Sequence, residues 1–319
     1  MKRVTTPELE GVLAVWKPAG WTSHDVVAKA RRILRIRRIG HTGTLDPAVT
    51  GVLPVCVGRA TRMVEYLQEM PKTYEALLRF GIATDTEDAG GEVIERTDAS
   101  HLTEEAIRAA ALSFVGDILQ VPPMVSAVKV DGKRLYELAR QGVTVERQAR
   151  PVTIHAIRVL SVKAEGPHPE LRFSVTCSKG TYIRTLCVDI GRKLGVPAVM
   201  AELVRTESAG LTQADCLTLE QIEQLQSRNE LAQRLLAADA LLDFLPRTAA
   251  DAKEALHALQ GKPLPCAALK PAPFGSGGLW RVYRAEDEAF LGLFEEEPEE
   301  GRLRPVKVFH PPEPRGDAE

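Results

Sequence analysis

The sequence predicts an α+β protein in two domains, and three features of the 319-residue chain carry that prediction. Runs that alternate apolar and polar residues, the period of half-buried strands, recur at separated places along the chain. Between them lie stretches with apolar residues every three or four positions, the period of core-facing helices. The length exceeds one average domain, and the sequence changes character at Leu245-Pro246-Arg247, so domains of residues 1–245 and 246–319 are expected.

After a polar leader, Gly11 to Trp16 reads as a short strand closed by Lys17-Pro18-Ala19-Gly20. A helix starts near Thr22, which makes a capping-box pair with Asp25, and it carries Val26, Val27, Ala30, Ile33 and Leu34 on one face. Arg31, Arg35 and Arg38 fall together at the edge of that stripe. The stretch from Gly40 to Gly58, GHTGTLDPAVTGVLPVCVG, begins as a loop and becomes an apolar run, Val52 to Val57, with the β-branched content of a buried strand. Asp46 stands at the centre of the loop, where Pro47 biases it towards extended backbone. Gly43 and Gly51 allow tight turns or close approach of another chain. Such a loop can hold one acid out towards a partner, although on spacing alone an Asp-Pro turn is the better reading.

Further on, Thr61 to Gln68 reads as a short helix, and Lys72 to Gly81 alternates with Tyr74, Ala76, Leu78 and Phe80 on one face. The acidic loop Thr84 to Gly91 lacks the ligand spacing of a calcium site and is read as a solvated turn. A helix from about Thr103 to Val115 shows Ile107, Ala110, Ala111 and Phe114 at helical spacing and stops at Gly116. An extended Pro-Pro segment, a hairpin at Asp131-Gly132 and a short helix ending before Gly142 follow, with Lys129, Lys133, Arg134 and Arg140 as candidate polyanion contacts or plain surface charges. Val152 to Lys163 and Leu171 to Cys177 form two strands paired around Gly166-Pro167. Gly180 supplies a tight turn, and Thr181 is expected to cap a helix that runs through Lys193 and ends at Gly195. Leu203 lies in a further apolar strand, and two helical stretches fill Thr218 to about Leu242. Beyond Pro246, a helix with Ala255, Leu256 and Leu259 ends at Gly261, and three short strands surround Trp280 to Tyr283, Phe290 to Leu293 and Leu303 to Val308.

Hydrophobic residues at 44% and charged residues at 26% are ordinary for a soluble globular protein. No apolar run approaches a membrane span and the N-terminus lacks a signal-peptide core, so a cytoplasmic location is the default expectation. The five cysteines are scattered, with no CxxC pair and no ligand spacing for a metal, and are read as reduced thiols. The net charge of −2 conceals a strong asymmetry: Lys29, Arg31, Arg32, Arg35, Arg37 and Arg38 crowd together, while Glu295, Glu296, Glu297, Glu299 and Glu300 form an acidic run near the other end. A nearly neutral chain so arranged can present a basic face to phosphates.

The stretch around Asp46 closely resembles the signature of the TruB family of tRNA pseudouridine synthases, roughly GHTGxLDPxAxGxLPxxxG, with Val49 where a smaller residue is usual. Three further blocks resemble that family: Thr84 to Gly91 (TDTxDxxG), the PPxxSAxKxxGxxxYxxAR arrangement from Pro122, and KGTYIRTL from Lys179. The C-terminal helix, glycine turn and strands ending in LRPVKVF resemble a PUA domain, a small RNA-binding β-barrel. The resemblance implies a mixed, largely antiparallel sheet flanked by helices, the pseudouridine synthase fold, with a small C-terminal barrel. It implies that Asp46 is the catalytic carboxylate, that Arg184 forms an ion pair with it, and that Tyr74 packs on the target base. Tyr182 would line the pocket, Leu203 would touch the base, and His41 would contact the RNA. The basic face of Arg31, Arg35 and Arg38 would meet phosphates beside the site. The implied reaction converts uridine to pseudouridine in the TΨC stem-loop of tRNA, at position 55 in tRNA numbering, after the base is flipped out of its stack. The atoms balance, so no cofactor and no metal is expected; tRNA is the expected partner, and a monomer needing no protein partner is the expected state. Attack by Asp46 on C6, attack on C1′ and action as a base all remain open, and the competing class is an RNA-binding or RNA-folding protein whose catalysis is secondary or lost.

Overall fold

The computed structural model describes residues 9–126, 128–130, 132–143, 145–275 and 277–310. The polar leader, Asp131 and the Pro-containing tail after His310 lie outside the described residues, as do the side chains of Lys129, Lys133, Arg134 and Arg140. The described chain divides into two units, one of residues 13–56 and 64–234, the other of residues 9–12, 57–63 and 235–310.

In the larger unit the alternating segments pair into a nine-stranded sheet among the described residues. Its main path runs Gly11–Lys17, Thr50–Val57, Ala198–Ser208, Lys72–Phe80, Glu170–Cys177, Arg150–Lys163 and Gly116–Gln120. Lys72–Phe80 is antiparallel to both of its neighbours, and Thr50–Val57 meets Ala198–Ser208 in parallel, so the sheet is mixed and largely antiparallel as expected. Tyr74, Ala76, Leu78 and Phe80 all face the core, where they meet Phe173, Ile107, Ile190 and Leu186 from the strand Glu170–Cys177 and the helices Glu104–Leu112 and Ile183–Lys193. The helix Ser23–Leu34 begins as the sequence predicts: Thr22 and Asp25 complete the capping box, and Val26, Val27, Ala30 and Leu34 are buried.

Two local expectations are corrected. Thr181 does not cap the helix Ile183–Lys193; its hydroxyl donates to Ser178 O at 2.9 Å. The buried Gln120 side chain fixes that helix start instead, accepting from Tyr182 N at 2.7 Å and donating to Tyr182 O at 3.0 Å. Between Thr218 and Leu242 there is one α-helix, Leu219–Ser227, followed by two 3₁₀ turns, Leu231–Arg234 and Ala240–Leu242. The chain turns at Asn229, which takes a left-handed conformation (φ 58°) that ends the helical run.

In the smaller unit five strands run in the order Arg247–Ala250, Gly278–Arg284, Phe290–Glu297, Arg302–Val308 and Leu264–Pro265. This curled half-barrel fits a PUA-like domain, with Trp280, Val282, Leu291, Phe294 and Leu303 inside it. The expected boundary at residue 245 falls within this unit, because Leu236 pairs with Val12 and the Arg281 guanidinium donates to Asp239 O and Leu245 O. The acidic run is partly paired where it stands. Glu295 and Glu297 pair with Arg304, and Glu297 and Glu300 pair with Arg302. Glu296 is buried and accepts from Trp280 Nε1 at 3.2 Å.

Gly51 shows why the loop sequence is constrained. Its φ is +122°, and a Cβ there would stand 2.2 Å from Arg205 O, across the point where Thr50–Val57 meets Ala198–Ser208. Gly51→Ala is therefore expected to lower the unfolding free energy by about 1–3 kcal/mol, read from urea denaturation followed by circular dichroism.

Candidate active site

The loop that carries Asp46 is held from several sides. Its carbonyl neighbour Pro47 O accepts from Gly20 N at 2.8 Å and from the buried Lys17 Nζ at 3.2 Å. Leu45 N donates to Ser23 Oγ at 2.9 Å, which ties the loop to the first turn of the helix Ser23–Leu34. Asp46 O accepts from Val49 N at 3.0 Å, closing a turn directly after the acid. Val49 is 3% exposed and joins the core beside Leu45 and Tyr74, so this departure from the usual pattern is absorbed by packing. Lys17 also donates to Pro18 O and Trp21 O, and burial pulls its amine down to about 8.

Arg184 and Asp46 meet, with Nη2 and Oδ2 3.0 Å apart. The pair is asymmetric: the guanidinium is 5% exposed and the carboxylate 45%. Arg184 lies in the first turn of the helix Ile183–Lys193 and donates to Thr86 O at 3.0 Å and Val125 O at 2.8 Å. Asp88 Oδ2 lies 4.0 Å from its Nη1. The acidic loop from Thr84 is accordingly a clamp on Arg184 more than a solvated turn. Thr185 Oγ1 donates to Glu87 Oε2 at 2.7 Å, and burial pushes the Glu87 carboxyl up.

A cavity of about 300 Å³ opens beside the carboxylate, the lower end of the range for small-molecule sites. Asp46, Arg184, Tyr74, Tyr182 and Leu203 all line it. Tyr74 is buried, which pushes its phenol up, and it stands opposite Arg205 in the strand register, as Ala76 does opposite Leu203. Three cavity-lining cations, Lys72, Lys179 and Arg205, were not anticipated, and two of them are buried. Lys72 is 7% exposed and Arg205 is 0% exposed. Arg205 is two residues beyond Leu203, so the strand period alone puts it on the same face; the signal was present in AELVRT.

His41 lies outside the residues that line this cavity. Its Nδ1 accepts from Gly43 N at 3.2 Å, and its ring packs edge-on against His24, with 5.6 Å between centroids. Of the basic cluster, Arg31 donates to Ile39 O at 2.9 Å and so is part of the turn that follows its helix. Arg31, Arg32, Arg35 and Arg37 edge one shallow depression, while Arg38 is an exposed neighbour along the chain. Among the described residues no group of three His, Cys, Asp or Glu side chains is arranged to hold a metal, and no helix is long and apolar enough to cross a membrane.

Burial, then the charges of His24 and Arg205, pull His41 down to about 4 from 6.5. The unfolded chain therefore takes up the proton more readily, so the stabilisation is complete above about pH 6.5 and is lost as pH falls towards 4. Replacing His41 by Gln is expected to reduce the stability lost between pH 7 and pH 5, by on the order of 1 kcal/mol, as measured by urea midpoints at the two pH values.

Known proteins share this arrangement of sequence and fold. A family model described as TruB family pseudouridylate synthase (N terminal domain) matches residues 31–183, and one described as tRNA pseudouridylate synthase B C-terminal domain matches residues 184–243. A Bacillus licheniformis protein named tRNA pseudouridine synthase B is 52% identical over 239 residues, 74% of this chain and 77% of the relative. A protein of the same name from Bacillus cytotoxicus is 45% identical over 305 residues, covering 94% and 97%. Among solved structures, the crystal structure of a Cbf5-Nop10-Gar1 complex superposes with a TM-score of 0.73 at 28% identity, over 95% of this chain and 86% of that one. An archaeal box H/ACA sRNP Nop10-Cbf5 complex superposes with a TM-score of 0.71 at 26% identity, over 95% and 87%. With nearly its whole length matched at such identity, the chain belongs to the TruB family of pseudouridylate synthases.

Proposed function

We propose that this enzyme isomerises uridine to pseudouridine in tRNA, at the uridine of the TΨC stem-loop that carries position 55 in tRNA numbering. The observation that carries the reading is the half-exposed Asp46 carboxylate, paired to a buried guanidinium at the edge of a cavity that also holds an aromatic side chain. The net reaction breaks the N1–C1′ bond, turns the base, joins C5 to C1′, and moves the C5 proton to N1. It needs a nucleophile or base, a wall that retains the loose base, and a way to hold the nucleotide out of its stack.

Asp46 supplies the carboxylate, whether it bonds to C6, bonds to C1′ or draws a sugar proton. Arg184 orients it, since a planar guanidinium fixed by two backbone carbonyls has little freedom to swing. Tyr74 offers its ring face to the base, an interaction worth about 1–3 kcal/mol per base, with Leu203 and Tyr182 closing the pocket. His41 and the basic cluster serve the RNA around the target nucleotide, and the half-barrel unit adds further RNA contact. The purified chain is expected to act alone on a protein-free T-stem-loop.

Release of tritium from C5-labelled uridine in that RNA is the deciding assay. A chain that binds the RNA and releases nothing is an RNA-binding protein without this catalysis. Asp46→Asn is expected to abolish release while changing the dissociation constant by less than about threefold, because phosphate contacts supply most of the affinity. Replacing Arg32, Arg35 and Arg37 together by Gln spares the Arg31 bond to Ile39. It is expected to make the plot of log K against log salt shallower by about 2–3.

A further inference from the structure

Arg205 is fully buried in the strand Ala198–Ser208, a position where a charge is costly unless its donors are matched. Its Nε donates to Val52 O at 2.7 Å and its Nη2 to Gly43 O at 3.1 Å. These two carbonyls flank the loop that bears Asp46, one before the acid and one after it. The backbone of Arg205 is in register with Gly51 on one side and with Tyr74 on the other, and Arg205 and Tyr74 both line the cavity. Its titratable neighbours Lys17, His41 and Lys72 are basic side chains, none of which can balance its charge. A site needed only for packing would be better served by an apolar side chain of similar volume, an exchange that is often neutral or stabilising for buried charges. One planar fork with several fixed donors can instead hold two limbs of one loop at set distances from its own strand, which a methylene stem or an ammonium cannot do.

We propose that Arg205 is a positioning residue of the isomerisation, fixing both limbs of the Asp46 loop to the strand Ala198–Ser208 that pairs with the Tyr74 strand beside the cavity. The proposal rests on the isomerase reading given above. Arg205 acts through its neighbours, so its loss shifts the geometry of the reacting groups while leaving the RNA-facing surface in place.

Single-turnover tritium release with enzyme in excess over labelled T-stem-loop RNA separates this role from a structural one. Misfolded protein lowers the amplitude of the burst, whereas displaced groups lower its rate constant. Arg205→Lys keeps the charge and Arg205→Gln keeps a planar donor. In both, the rate constant is expected to fall by about 10- to 100-fold, the scale set by misplacement of about 1 Å, with the RNA dissociation constant within about twofold of wild type. An unchanged rate constant with reduced amplitude would overturn the proposal, and so would failure of both variants to fold, which would return Arg205 to the core. If the wild-type chain binds the RNA but releases no tritium, the isomerase reading itself falls and the proposal goes with it.

Discussion

The contact between Arg184 and Asp46 is the constraint on which the other features of the site depend. It joins a loop near the start of the chain to a helix much later in it, and it requires the sheet to be assembled before either group is in place. A buried guanidinium left without its carboxylate would be strongly destabilising, and a carboxylate without it would swing freely in water. The helix Ile183–Lys193 supplies the buried partner because its first turn is inserted between the core and the Thr84 loop, and the carbonyls of Thr86 and Val125 take up donors that Asp46 does not use. The result is a rigid cation that presents a single acid to the cavity. This is the economy expected where chemistry depends on the direction of one side chain.

Much of this was legible in the chain because the signals were local. The capping pair of Thr22 and Asp25, the alternation from Lys72 to Phe80 and the glycine at position 51 each follow from backbone sterics or side-chain period, and each has its expected form. The juxtaposition of Asp46 and Arg184 has no local signal and came from resemblance alone; no spacing rule brings those two positions together. The misses share a cause as well. Gln120 replaces Thr181 at the helix start, and the Thr84 loop grips Arg184, through contacts between segments far apart in sequence, so the short-range grammar of caps and turns pointed elsewhere. Arg205 is the instructive case: the strand period marked its face, but a basic residue in an apolar strand reads as an edge charge until the cavity behind it is seen.

Burial acts alike on the two buried lysines near the site. Lys17 and Lys72 are both drawn down to about 8, each chiefly by loss of water, and both spend their protons on backbone carbonyls. They act as braces for the turns at Pro47 and Gln68 and Met70.

The acidic strand of the smaller unit bears on how a chain of net charge −2 can approach a polyanion. Glu295, Glu297 and Glu300 face guanidiniums on the adjoining strand, and Glu296 is turned inward. Opposite charges so close together form short dipoles, whose potential dies away faster than that of a monopole and is small beyond one Debye length of about 8–10 Å. The two guanidiniums weaken the field of the run without cancelling its five carboxylates, so its reach towards an incoming nucleic acid is shorter than the count of acids suggests.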